Sequence, residues 1–137
     1  MLDDDVRTAL AITPDSTMTE RTIDITTVGR KTGQQRRIET CFYRVGDEIY
    51  LSGLPRPRPR DWLANLAANP QFEFHLKNGV VADLTATATV IIEPDERRRV
   101  LTAIVDEFNA RNTADRADAV TEEWVEQSPL ALVTFEE

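Results

Sequence analysis
The sequence is short of several things at once. It has one cysteine, one histidine and no apolar run approaching the roughly 20 residues of a membrane-spanning helix. A lone Cys41 forms no intrachain disulfide and no thiolate metal cluster, which fits a reducing compartment and gives a cytoplasmic location as the expectation. Its default reading is core filler. Residues 1–7 are acidic where a secretory leader is basic, so no targeting or integral membrane segment is expected. The one histidine, His75, leaves no histidine pair for zinc, and the carboxylates show no calcium-loop spacing, so no metal site is expected. A serine triad has only His75 to draw on, and no serine stands in a nucleophile-elbow sequence. His75 reads as an outward-facing strand residue.

Positive charge is scarce overall and concentrated locally. A net charge of −8 speaks against general nucleic-acid binding and against a basic membrane-surface protein. Residues 30–60, however, hold eight basic and three acidic residues, a local +5 that leaves −13 on the remaining chain. Solvated surfaces ordinarily mix the signs, so this segment is a candidate site for an anion. No aromatic residues interleave with the basic residues of its first turn, which removes the stacking platform of a single-strand binder.

Periodicity then sets the fold class. Residues 1–20 show no sustained period and read as an N-terminal arm or frayed helix, leaving 21–137 as a single domain. Period-two alternation begins at Thr22, with Ile23 and Ile25 on one face, and returns over residues 37–45, 49–51, 72–76, 80–92 and 130–135. Gly46-Asp47 and Asn78-Gly79 mark hairpins. Pro55, Pro57 and Pro59 make residues 53–60 a loop, because a fixed φ and missing N–H groups suit neither helix interior nor central strand. Asp61 opens a two-turn helix that Asn69-Pro70 ends, and Pro94 opens a longer one whose stripe is Val100, Leu101, Ile104, Val105 and Phe108. A weaker helix covers Val120, Trp124 and Val125. The expectation is a mainly β, α+β domain of about six antiparallel strands with two to three flanking helices, closed or nearly closed into a small barrel.

The most informative stretch joins the first two strands: Thr26-Thr27-Val28-Gly29-Arg30-Lys31-Thr32-Gly33-Gln34-Gln35-Arg36-Arg37. Glycines allow close backbone approach, so amide groups could converge on an anion while Arg30, Lys31 and Arg36 add charge. A guanidinium fork beside a mobile ammonium suits phosphate oxygens; an exposed hairpin tip is the bland alternative. It is not a P-loop, since the turn leads to a strand rather than a helix.

Residues 26–33 followed by Arg36 resemble the signature of the deazaflavin (coenzyme F420)-dependent nitroreductase family. Ser52 at a strand end, then Trp62, Asn65-Leu66 and Ala68-Asn69-Pro70, resemble that family's next segment in the same order. The resemblance implies an FMN-binding-like split β-barrel that holds coenzyme F420, with FMN as the second choice of cofactor. It implies Lys31 and Arg36 on the coenzyme phosphate with Arg30 beside them, and Ser52 near the deazaflavin ring. Thr32, Gly33, Gly53, Trp62 and Asn65 complete the expected cofactor-binding set. Two departures stand out: Gly53-Leu54-Pro55 replaces a glycine-rich loop, and Glu39 replaces a proline. Arg56, Arg58 and Arg60 are then available for the coenzyme's acidic tail.

The implied reaction is hydride transfer to a quinone, nitro compound or activated alkene, a small-molecule electron acceptor, in a monomer or homodimer. The hard chemistry belongs to the cofactor, and a proton must follow the hydride. Ser52 and Tyr50 are the catalytic expectation for that step, with Tyr43 a further candidate; for the tyrosines the bland alternative is amphipathic packing. The rival reading is a non-catalytic module on the same barrel that binds flavin, haem or fatty acid.

Overall fold
Alternating β-branched and aromatic residues give six strands: β1 (Thr22–Val28), β2 (Gln35–Val45), β3 (Glu48–Ser52), β4 (Gln71–Leu76), β5 (Ala82–Val90) and β6 (Leu130–Phe135). In this computed structural model, which describes residues 2–110 and 120–136, they close into a barrel in the order β1-β2-β3-β6-β5-β4. Every pairing is antiparallel, including the β1–β4 closure through Asp24 opposite His75 and Ile25 opposite Phe74. Closure leaves no unpaired sheet edge.

The inward set of each strand fills the barrel: Ile23, Ile25, Phe42, Leu51, Phe74 and Ala131 are each fully buried. Phe42 and Phe135 stand edge-on to Phe74, with ring centroids 5.5 and 5.0 Å away, the geometry aromatic quadrupoles favour. Outside the barrel, Tyr50, Ile91 and Leu130 pack against Val100, Leu101 and Ile104 of a long helix, forming a second core. That helix, α4 in the full set of α1 (Asp4–Leu10), α2 (Met18–Arg21), α3 (Asp61–Ala68), α4 (Pro94–Asn109) and α5 (Glu122–Gln127), begins at the proline that sequence reading placed there. Glu93 caps it by accepting from the N–H groups of Asp95 and Glu96.

Two readings change. The described residues carry five helices rather than two or three, and residues 1–20 are more than an arm: Val6, Leu10 and Ile12 belong to the barrel-side core. Arg21 anchors this segment. Its guanidinium, 1% exposed, donates to the Thr13 carbonyl at 2.8 Å and to Glu107 at 3.2 Å, and lies 5.9 Å from the Phe108 ring centroid. No helix among the described residues is long and apolar enough to cross a membrane.

Candidate functional site
The chain's local +5 segment folds around a cleft of about 740 Å³. Its walls come from Thr27 at the end of β1, the first half of β2, Ser52 and Gly53 after β3, the proline-rich loop, and Trp62 and Asn65 on α3. Residues far apart in sequence meet here because β1, β2 and β3 are neighbours in the barrel and the loop at 53–60 carries the chain back to α3.

Four arginines line the cleft: Arg36, Arg56, Arg58 and Arg60. Among the described residues none of the four has a carboxylate partner. The two cleft carboxylates are already engaged, Asp61 with Arg30 at 3.6 Å and Glu39 with Lys77. A guanidinium stays charged under all ordinary conditions, so the cleft has a standing positive field and five-donor forks without acceptors. Arg60 is the most confined. Burial, and secondarily repulsion from Arg56, lowers its pKa, and its Nη2 lies 3.0 Å from where a Cβ on Gly53 would sit. A larger residue at 53 would press on the flexible end of Arg60, which a shift of a few tenths of an ångström relieves.

The turn behaves differently from the expectation. Gly33 adopts φ 72°, a conformation favouring glycine, but the turn's amides are mostly used within it. Gly29 N–H donates to the Gln34 carbonyl, Gly33 N–H to the Gly29 carbonyl and Gln34 N–H to Thr32 Oγ1. Arg30 turns towards α3: its N–H and Nη1 both donate to Asn65 Oδ1, at 3.1 and 2.9 Å. A backbone anion cradle is thus largely closed, and anion binding falls to side chains. Lys31, Thr32 and Gly33 are exposed at the tip, outside the cleft lining, whereas Arg36 lies in it.

Of the remaining expected residues, Ser52, Gly53, Trp62 and Asn65 come together in the cleft. Ser52 is 6% exposed and its hydroxyl donates to the Pro129 carbonyl at 2.8 Å, which leaves lone pairs as its free capacity. Tyr50 is placed elsewhere. It lies beneath α4 and its hydroxyl donates to Glu48 Oε2 at 2.5 Å, so a direct catalytic contact in the cleft is not open to it. Its cross-strand partner Tyr43 lines the cleft instead. Burial, then the neighbouring Cys41, pushes the Tyr43 hydroxyl up to about 12, so it stays protonated around neutrality.

Burial corrects one sequence reading and adds to another. Cys41 is half-buried at the cleft wall rather than core filler. His75 sits on the outer barrel face yet is 6% exposed, held between Thr26 Oγ1 at 2.7 Å and Asp83 Oδ1 at 2.6 Å. Sequence reasoning missed Thr27, Ile38 and Thr40 as cleft residues, and only their alternation on β1 and β2 could have signalled them.

A family model described as F420H(2)-dependent quinone reductase matches residues 9–123. The chain belongs to that family. It is accordingly an oxidoreductase of the F420-dependent kind, and the barrel agrees with the folds of solved proteins to which it is similar. These include an F420-H2 dependent reductase, FDR-A, at 18% identity and TM-score 0.50, covering 83% of this chain and 94% of that one. A FAD and haem binding protein from Mycobacterium smegmatis shares 22% identity at TM-score 0.59, over 98% of this chain and 66% of that one. A FAD-binding protein from Mesorhizobium loti shares 9% identity at TM-score 0.62, over 99% and 91%. At these identities the likeness speaks for the fold. Among curated proteins, none matches the sequence significantly.

Proposed function
We propose that the cleft binds reduced coenzyme F420 and that the protein passes its hydride to a quinone, in the cytoplasm, as a monomer or homodimer. The observation that carries this reading is the set of four arginines without carboxylate partners around one cleft of ligand size. A coenzyme with a phosphate and an acidic tail matches that donor set in sign. Arg36 takes the phosphate, with Lys31 reaching in from the exposed tip and Arg30 holding the turn. Arg56 and Arg58 face the tail, and Thr32 and Gly33 shape the tip. Ser52, Gly53, Trp62 and Asn65 surround the ring end.

When bound, the coenzyme supplies a hydride, and the acceptor needs one further proton to become a quinol. The protein's part is to orient and to protonate. Ser52, pinned by the Pro129 carbonyl, presents an acceptor into the cleft, while Tyr43 holds a proton on its hydroxyl across the neutral range. Tyr43 therefore takes the proton-donating role that sequence reading assigned to Tyr50. Trp62, 9% exposed, closes the apolar side against water.

FMN is the second ligand compatible with the same arginines; His75 does not line the cleft, so the cleft residues that would offer a haem iron a ligand atom are Cys41 and Tyr43. Fluorescence titration with coenzyme F420 and with FMN separates these. The coenzyme binds tighter than FMN, and Arg36→Ala weakens it by about 1–3 kcal/mol without loss of fold. Tight FMN or haem binding with none of the deazaflavin overturns the assignment.

A further inference from the structure
The four cleft arginines are not alike. Arg36, Arg56 and Arg58 are exposed, whereas Arg60 is half-buried. Sequence reading groups Arg60 with Arg56 and Arg58 for an acidic tail; burial sets it apart. Its guanidinium has no hydrogen-bond or ion-pair partner among the described residues. Five donors have thus lost part of their water without gaining an acceptor, the desolvation that lowers the Arg60 pKa.

Both ends of this residue are fixed. The Arg60 carbonyl accepts from the N–H groups of Leu63 at 3.2 Å and Ala64 at 3.3 Å, so its backbone starts α3. Its side chain reaches back over the end of β3, with Nη2 and Cζ at 3.0 and 3.5 Å from the Cβ position of Gly53. Beside Gly53, the Ser52 hydroxyl is held to the Pro129 carbonyl at 2.8 Å. Tyr43 lines the same cleft from β2. Its hydroxyl feels the Arg60 charge, which, after that of Arg21, opposes the rise that burial imposes.

An anchored cation without a partner therefore stands between the strand end at Ser52 and the proton held on Tyr43. The proposed reaction creates negative charge of its own. A quinone that takes a hydride from the coenzyme gains an electron pair and one hydrogen, and carries a negative oxygen until that oxygen is protonated. The Tyr43 O–H bond then breaks, its proton goes to that oxygen, and solvent reprotonates the tyrosine. A donor fixed in advance at a developing oxyanion lowers the barrier, because the neutral ground state gains less from it. Exposed arginines do this less well, since water and salt screen them.

We infer that Arg60 is a catalytic residue whose guanidinium holds the negative oxygen of the reduced acceptor, so that the site selects acceptors whose reduced form is an oxyanion. This rests on the reading of the cleft as a coenzyme site.

Two measurements on the whole chain test it. The first uses no coenzyme: absorbance titration with 2-hydroxy-1,4-naphthoquinone, an anion at neutral pH, and with neutral 1,4-naphthoquinone. The parent should prefer the anion, Arg60→Gln should weaken the anion about tenfold or more and the neutral ring less than about twofold, and Arg36→Gln should weaken the anion less than about threefold. The second is single-turnover oxidation of reduced coenzyme F420 by saturating quinone, beside coenzyme affinity read by fluorescence. Arg60→Gln should slow oxidation about 10²-fold and leave affinity within about threefold, and Arg60→Lys, which keeps the charge, should recover about tenfold of the lost rate. No preference for the anion, equal weakening of it by Arg36→Gln and Arg60→Gln, or oxidation in Arg60→Gln within about threefold of an active parent each overturn the role of Arg60 and leave the coenzyme reading standing. A parent that binds no coenzyme overturns that reading and this role with it.

Discussion
Replacing Asn65 with alanine probes the joint that sets the phosphate turn on the barrel. Asn65 is 4% exposed on α3, and its Oδ1 accepts two bonds from Arg30: the backbone N–H at 3.1 Å and Nη1 at 2.9 Å. A neutral bond contributes about 0.5–1.5 kcal/mol net and one to a charged donor about 1.5–3. The Nδ2 bond to Thr27 Oγ1 is long, at 3.4 Å, and adds little. Asn65→Ala should therefore cost about 2–4 kcal/mol of unfolding free energy. A double-mutant cycle divides this sum, because Arg30→Met removes the Nη1 bond and keeps the backbone one. The surface pair of Arg30 with Asp61, whose carboxylate is 78% exposed, contributes little to the Arg30→Met effect. The cycle should return a coupling of about 1.5–3 kcal/mol, with the remainder of the Asn65→Ala loss, about 0.5–1.5 kcal/mol, assigned to the backbone N–H. Urea unfolding followed by fluorescence of Trp62, on the same helix, gives all four free energies. An Asn65→Ala loss below about 0.5 kcal/mol, or no coupling, refutes the claim that Asn65 holds the turn.

Three further outcomes follow from the same structure. Arg21→Ala removes a buried cation and leaves Glu107 without its partner, so it should destabilise by about 3–5 kcal/mol in denaturant unfolding; a loss under 1 kcal/mol contradicts the anchoring role. Asp24 is held below the usual carboxylate range, chiefly by its bond from Lys77 and then by that from Arg37. Its contribution is present above the unfolded value near 3.9 and is lost as pH falls through the lower folded value, so the stability gap between parent and Asp24→Asn should narrow below about pH 4. A gap that stays constant down to pH 2 rules this out. Tyr43→Phe should slow turnover while leaving coenzyme affinity within about twofold, and in the parent no activity should be lost to Tyr43 ionisation below the value of about 12 at which its hydroxyl titrates. Unchanged turnover in the variant removes Tyr43 from proton delivery.

Local signals carried most of the fold. Alternation at Ile23 and Ile25 and Pro94 at a helix start are short-range features that the barrel bears out; Asn78-Gly79 does mark a hairpin, but through a five-residue connection, 77–81, so that the strand expected from Val80 begins at Ala82. What stayed hidden depends on contacts distant in sequence. Nothing local to Arg21 signals its burial, which depends on Glu107, 86 residues away. His75 obeys the outward half of the alternation, but Thr26 and Asp83 bury it from neighbouring strands. Tyr43 and Tyr50 face each other across β2 and β3, so period alone assigns them alike; both pack on the core beneath α4, but only Tyr43 also lines the cleft. The basic turn was legible as charge, while its closed amide pattern and the inward swing of Arg30 needed the position of Asn65.

The most direct test of the central claim is single-turnover oxidation of reduced coenzyme F420 by a quinone, followed by return of the oxidised deazaflavin absorbance. The account predicts oxidation that requires the protein, is stoichiometric with the quinone and falls in Arg36→Ala as coenzyme binding weakens. No protein-dependent oxidation at concentrations where the coenzyme is bound, or equal turnover with reduced FMN, contradicts it.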